Sequence, residues 1–339
     1  MNTAFASRQV LRTLVLVFEL ASGTIAAAQT YTIQDLGTLG GPMASAKGIS
    51  SFGQITGTAS TNSTAAHAFL YKSGKMTDLG TLGGQNSAGN SINALGQVAG
   101  YSQTSGSYRA FLYSNGHMTI LPTLGSNFGA GYGINALGQV VGQSYTANGI
   151  AAGFLYSNGK IINLGNLGGS SGTAAYAINK SMQVVGYSYD ASGNFLAYLW
   201  HSGTMTSLGT LGGDWSQAFA INDAGQITGG AYLRNNIGAH AFIYSNGKMR
   251  DIDTRNSNYS FGESINSSGI VVGRMTVPSN SGYLVYHAFI YTGGQMKDLN
   301  NLVPKSSGWV LDDATGINDA GQIIGSGTVH GQTRAFLLK

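Results

Sequence analysis

The chain has 339 residues with 17 Lys and Arg, 13 Asp and Glu, a net charge of +4, 52 Gly, 4 Pro and no Cys. Hydrophobic residues make up 42% and charged residues only 9%, so the chain is neither a disordered polar segment nor a collagen-like or Pro-rich one. The lack of Cys excludes disulfide scaffolds, thiolate metal sites and Cys nucleophiles. The basic residues are scattered, which leaves no concentrated face for nucleic acid.

At the start of the chain, Arg8 and Arg12 precede the apolar run Leu14 to Phe18, and small residues lead to Ala26-Ala27-Ala28 before Gln29. This is the basic, apolar and small-residue order of a secretory signal, although Glu19 interrupts the apolar part. Residues 1–28 are expected to be removed, leaving 29–339 as a secreted or cell-surface protein. The apolar run is too short for a span of about 20 residues, and no later segment is long enough either, so no membrane span is expected.

The rest of the chain repeats one unit. The anchor Ile-Asn-x-x-Gly-Gln-Val-x-Gly starts at Ile49, Ile92, Ile134, Ile178, Ile221, Ile265 and Ile317. A second anchor, His-Ala-Phe-Leu-Tyr, starts at His67, with copies at Arg109, Ala152, Leu196, His240, His287 and Arg334. A third, Asp-Leu-Gly-Thr-Leu-Gly-Gly, starts at Asp35 and Asp78, with degenerate copies at Ile120, Asn163, Ser207, Asp251 and Asp298. Each anchor occurs seven times, in fixed order.

The His-Ala-Phe motif beside Asp-Leu-Gly-Thr-Leu-Gly-Gly resembles the HAF repeat of bacterial exported proteins. The resemblance covers roughly residues 31 to 338. It implies secretion or a surface location and supplies no activity.

Each unit reads as four short strands. The aromatic run at His-Ala-Phe-Leu-Tyr suits a buried strand, and the Gly-containing pair after it, such as Ser73-Gly74 or Asn115-Gly116, suits a hairpin turn. A unit of about 43 residues with four strands matches a propeller blade. The chain begins in mid-unit with the strand that its last unit lacks. The expected fold is therefore all-β: a seven-bladed propeller of four antiparallel strands per blade, closed by the N-terminal strand. An open solenoid would need polar capping repeats, and none is present.

The segment Ser-Ala-x-Gly-Ile-Asn is expected to be the innermost strand, because small residues such as Gly48, Ser91, Gly133 and Ala177 fit the crowded axis. The long, variable loops then gather on one face, and binding is expected there. Trp215, Trp309, Tyr108, Tyr145, Tyr189, Tyr232, Tyr259 and Tyr283 fall on or near that face. Their rings either cover the blade tops or, with nearby amides, form a platform for sugar rings or a protein partner. Asp214, Glu263 and Asp313 depart from the repeat towards the same face, and a central pocket would gather them.

His67, His240 and His287 share a position that also accepts Arg109 and Arg334, so they read as polar strand ends and not as metal ligands. No calcium loop, nucleotide motif or nucleophile elbow is present, and no cofactor or metal is expected. The leading expectation is a monomeric, non-catalytic binding module for a glycan or a surface protein. The alternatives are a glycosidase or lyase with carboxylates in the central channel, or a structural surface or matrix component.

Overall fold

The computed structural model describes residues 30–63, 65–279 and 282–339. The leader expected over 1–28 lies outside them. Among the described residues the protein is almost entirely β. Its helical content is three short 3-10 turns, Arg234–Asn236, Leu299–Asn301 and Lys305–Ser307. No helix among these residues is long and apolar enough to cross a membrane.

The first unit sets the pattern. Strands Gly40–Ile49, Ile55–Thr61, Ala66–Lys72 and Lys75–Asp78 pair in sequence order, all antiparallel. Five sheets have four strands. The fourth and fifth units differ from expectation, because a parallel bridge between Phe195 and Trp215 merges them into one eight-stranded sheet. The two ends of the chain share a sheet. Ile33–Asp35 pairs antiparallel with Gln332–Leu338, with Ile33 opposite Leu338.

The anchors have clear local causes. In the hairpin between third and fourth strands, Ser73 has φ +52° and Gly74 has φ +82°. Positive φ at both central residues is the geometry of a tight hairpin turn that follows the twist of its strands, which is why Ser-Gly or Asn-Gly recurs there. In the turn between first and second strands, Asn93 Oδ1 accepts the N–H groups of Leu95 and Gln97, each at 3.1 Å. Its amide nitrogen donates to Gln97 Oε1 at 2.8 Å and to the carbonyl of Asn135, in the next unit, at 3.0 Å. The same amide links run from Asn135 to Asn179, Asn179 to Asn222, Asn222 to Asn266, Asn266 to Asn318 and Asn318 to Ser50. The Asn and Gln of the first anchor thus fold their own turn, and the Asn ties six of the seven units to the next; the first unit has Ser50 in its place.

The Phe of the second anchor is the core residue. Phe69, Phe111, Phe154, Phe242, Phe289 and Phe336 are fully buried, and Tyr198 takes the place in the fourth unit. Each lies against the Gly that ends the first anchor. A Cβ on Gly57 would meet the Ser45 carbonyl oxygen and stand 2.9 Å from the Phe69 ring. The core sits between neighbouring sheets. One cluster joins Ala44, Ile55 and Phe69 of the first sheet to Ile324, Ala335 and Leu337 of the last.

Candidate functional site

The residue before the small position of the first strand differs widely among the seven units. It is Lys47, Asn90, Tyr132, Tyr176, Phe219, Glu263 and Thr315. These seven side chains surround one central cavity of about 290 Å³. The first strand of each unit is therefore innermost, as its small residues imply. The lining is asymmetric. Tyr132 and Tyr176 have ring centroids 5.3 Å apart, and Tyr176 and Phe219 are 5.9 Å apart, so three consecutive units give an aromatic wall. Lys47, Asn90, Glu263 and Thr315 complete the lining.

Glu263, on the polar side of the cavity, belongs to a cluster of three charged groups. Arg274 Nη2 is 3.5 Å from Glu263 Oε1, and Arg274 Nη1 is 3.8 Å from Asp313 Oδ2. The guanidinium lies over the rings of Phe261 and Tyr286, at 5.3 and 5.2 Å from their centroids. The two carboxylates are only 19% and 15% exposed. Burial and then the neighbouring Asp313 charge push the Glu263 carboxyl up to about 7, against the pull of Arg274 and Lys47. Burial also raises Asp313, with Arg274 and Lys47 opposing it. The Arg274 Nε and Asp313 Oδ1 atoms are buried without a hydrogen-bond partner among the described residues. Such a cluster can hold a proton near neutral pH and can hydrogen-bond a polar ligand.

Beside the cavity, Tyr101, Tyr108, Phe128, Ala130 and Tyr132 wall a pocket of about 400 Å³. Tyr132 belongs to both spaces. From Tyr176 the rings continue to Tyr187, Phe195 and Trp215; Tyr187 and Phe195 stack at 4.1 Å, and Phe195 and Trp215 at 5.9 Å. Burial holds the Tyr132 hydroxyl up at about 12, so it remains a neutral hydrogen-bonding group.

The residues expected from sequence are distributed unevenly around this site. Tyr108 walls the pocket, and Tyr145 packs at 5.1 Å on Phe128, another wall residue. Tyr189 packs against Phe195, and Tyr232 against Trp215. Trp309 sits against Phe336 and the core of the last sheet. Tyr259 and Tyr283 are exposed. Glu263 and Asp313 come together at Arg274, whereas Asp214 is exposed and its N–H is bonded to Asn236. Of the three acids, only Glu263 lines the central cavity, and Asp313 stands behind it at Arg274. The sequence reading missed Lys47, Tyr132, Tyr176, Phe219, Arg274 and Tyr101. For Lys47, Tyr132, Tyr176 and Phe219 the available signal was the unmatched residue in each Ser-Ala-x-Gly-Ile-Asn copy, which differs because it faces open space; Tyr101 and Arg274 lie on second strands and carry no such signal.

The histidines belong to the architecture. His67, His240 and His287 place Nδ1 at 2.8, 2.7 and 2.8 Å from Asp78, Asp251 and Asp298, the first residue of the third anchor. Arg334 faces Asp35 in the same way at 4.0 Å.

No protein-family model matches the chain, and no curated protein matches it. Solved structures do match. The β-propeller domain of the trilobed protease from Pyrococcus furiosus aligns with a TM-score of 0.57 at 9% identity, over 88% of this chain and 97% of that one. The acylaminoacyl peptidase of Pyrococcus horikoshii aligns with a TM-score of 0.54 at 10% identity, over 88% of this chain and 51% of the peptidase, so this chain spans about half of that protein. With its antiparallel four-stranded sheets, the protein is a β-propeller. At these identities the likeness extends to the fold alone.

Proposed function

We propose that the chain is an exported, monomeric propeller of the HAF-repeat type, with seven blades closed into a ring, and that it binds a glycan over its aromatic face. Closure is supported by the pairing of Ile33–Asp35 with Gln332–Leu338 and by the amide links that run unit to unit from Asn93 to Asn318 and on to Ser50. The binding reading is carried by the pocket of about 400 Å³ walled by Tyr101, Tyr108, Phe128 and Tyr132. Aromatic faces stack on the C–H faces of sugar rings, while polar tips at the edge pair with hydroxyls. Tyr132 and Asn90 carry this mixed lining into the central cavity. Electrophoresis of the purified protein through gels holding different polysaccharides tests the reading. Selective retardation by one polymer that Tyr101→Ala/Tyr108→Ala abolishes supports it. Equal mobility in every gel, or retardation indifferent to both substitutions, rules it out.

One observation favours a second reading. A carboxyl held near neutrality beside a second carboxyl suits general acid catalysis on a glycosidic bond. In that case the purified protein releases reducing ends from the polymer that retards it, and Glu263→Gln stops the release. Retardation without release leaves the protein a binding module.

A further inference from the structure

The ends of the sheets opposite the aromatic face carry a second asymmetry. The turn between first and second strands projects one residue ahead of its glycine. In the first three units this is Phe52, Leu95 and Leu137, which are 80%, 75% and 71% exposed. In the fourth unit the apolar side chain moves one position on. Met182, 44% exposed, stands where the other six units have glycine. Its φ is +57°, a left-handed conformation that glycine adopts freely and methionine does not. Its thioether lies 3.1 Å from Gln139 Nε2, in the turn that carries Leu137. The remaining three units have Ala224, Ser268 and Ala320 at the projecting position.

Charge divides along the same line. The hairpin turns between third and fourth strands lie at this end too, because antiparallel strands alternate direction. The four apolar units place Lys72, Lys75, Lys160 and Lys180 here, all exposed, and no acid of their own; Lys180 pairs with Asp223 of the fifth unit at 3.5 Å, which leaves Lys72, Lys75 and Lys160 unbalanced. The other three units carry two lysines at this end, Lys248 and Lys339, and two acids, Asp223 and Asp319. Exposed apolar groups and unbalanced positive charge therefore share one half of one face.

We propose that this half-face docks on an anionic lipid bilayer, with Phe52, Leu95, Leu137 and Met182 entering the boundary between headgroups and acyl chains. Four separate tips on tight turns, divided by polar residues, offer no continuous patch for a rigid partner. They suit a soft apolar phase that closes around each tip. The lysines lie at the level of the lipid phosphates, where each adds attraction that salt screens. The strained Met182 fits the same account, since strain kept at one copy of a repeat points to a use for the side chain.

Cosedimentation of the purified protein with phosphatidylcholine vesicles, with and without about 30% phosphatidylglycerol, tests this. The expected result is binding to the anionic vesicles that weakens as salt rises. Phe52→Ser/Leu95→Ser/Leu137→Ser lowers that binding by roughly tenfold or more, with an unchanged thermal midpoint because the three side chains are exposed. Met182→Gly separates stability from binding: the midpoint rises while vesicle binding falls. The proposal is overturned if wild type ignores anionic vesicles, or if the triple variant binds them as wild type does. It is also overturned if analytical ultracentrifugation shows a lipid-free dimer that the triple variant abolishes, which would make a second copy the partner.

Discussion

Glu263 shows how one departure from a repeat sets the chemistry of a site. Six other units place Lys, Asn, Tyr, Tyr, Phe or Thr at its position, and only this copy sets a carboxyl beside Asp313. Its folded value of about 7 lies above the ordinary 4.5, so the folded protein holds a proton between those limits that the unfolded chain releases. The stability linked to this group is full below the unfolded value and is lost as pH rises through the folded one. Gln replaces the protonated carboxyl at nearly equal size. Glu263→Gln is therefore expected to raise unfolding free energy by ~1–3 kcal/mol at about pH 8.5 and to change it little at about pH 4.5. Urea unfolding at both values checks this. An equal effect at both would mean that the ionised carboxyl is not held under strain.

At the scale of the element, the His that opens the second anchor acts on its neighbour strand. His240 donates from Nδ1 to Asp251 at 2.7 Å, and its Nε2 faces the Ser257 carbonyl at 3.0 Å. Both partners accept, so the doubly protonated ring fits best. Burial lowers the His240 value, but the bond to Asp251 and its charge outweigh this and raise it. Stability linked to a raised His is present below the ordinary value and is lost as pH rises through the folded one. His240→Ala is expected to cost ~1–2 kcal/mol at about pH 6 and clearly less at about pH 9. Thermal unfolding at the two values decides the matter, and a cost independent of pH would assign His240 to packing alone. The partners also vary together. Units with Ala152 or Leu196 in place of His have Asn163 or Ser207 in place of Asp, yet Asn163 and Ser207 still accept the N–H of the glycine two residues on, at 2.9 and 3.1 Å. The first duty of the third anchor is its own turn, and the cross-strand clamp is added to it.

That distinction also explains what could be read from sequence. Strand number, turn positions and the joining of the two chain ends were legible because each follows from a local rule repeated seven times, as with Asn93 and its turn or Phe69 and Gly57. The site was only partly legible. Which side chains meet across an axis depends on the angle between sheets, and no motif in one unit encodes it. Glu263 and Asp313 are 50 positions apart and Arg274 lies on a different strand, so no single unit announces their convergence. The Phe195–Trp215 bridge that fuses two sheets was equally invisible, since it depends on the approach of two blade edges. The altered loop of the last unit has a physical reason as well. Leu299 and Val303 pack with Tyr31, whose N–H donates to the Leu302 carbonyl at 2.8 Å, so this loop anchors the strand that starts the described chain.

At the scale of the whole molecule, that anchoring makes closure testable. Ile33–Asp35 covers the outer edge of Gln332–Leu338, and Tyr31 and Leu36 are buried on either side of it. Removing residues 30–36 exposes a strand edge and two apolar contacts between sheets, and an exposed edge recruits other chains. The shortened protein is expected to melt roughly 5–15 °C lower and to associate, read by calorimetry and light scattering. The loss must come from the missing strand and not from cutting the chain, and a permutant separates the two. Thr32 and Lys339 already exchange backbone hydrogen bonds at 2.9 and 3.1 Å, so a short linker can join residue 339 to residue 30 without strain. New ends between Asn148 and Gly149 fall in an exposed turn. If the ring closes through this strand, the permutant unfolds cooperatively at or above the wild-type midpoint while the truncation does not. A truncation that melts with wild type would show that the last sheet stands on three strands and that the ring does not depend on this pairing.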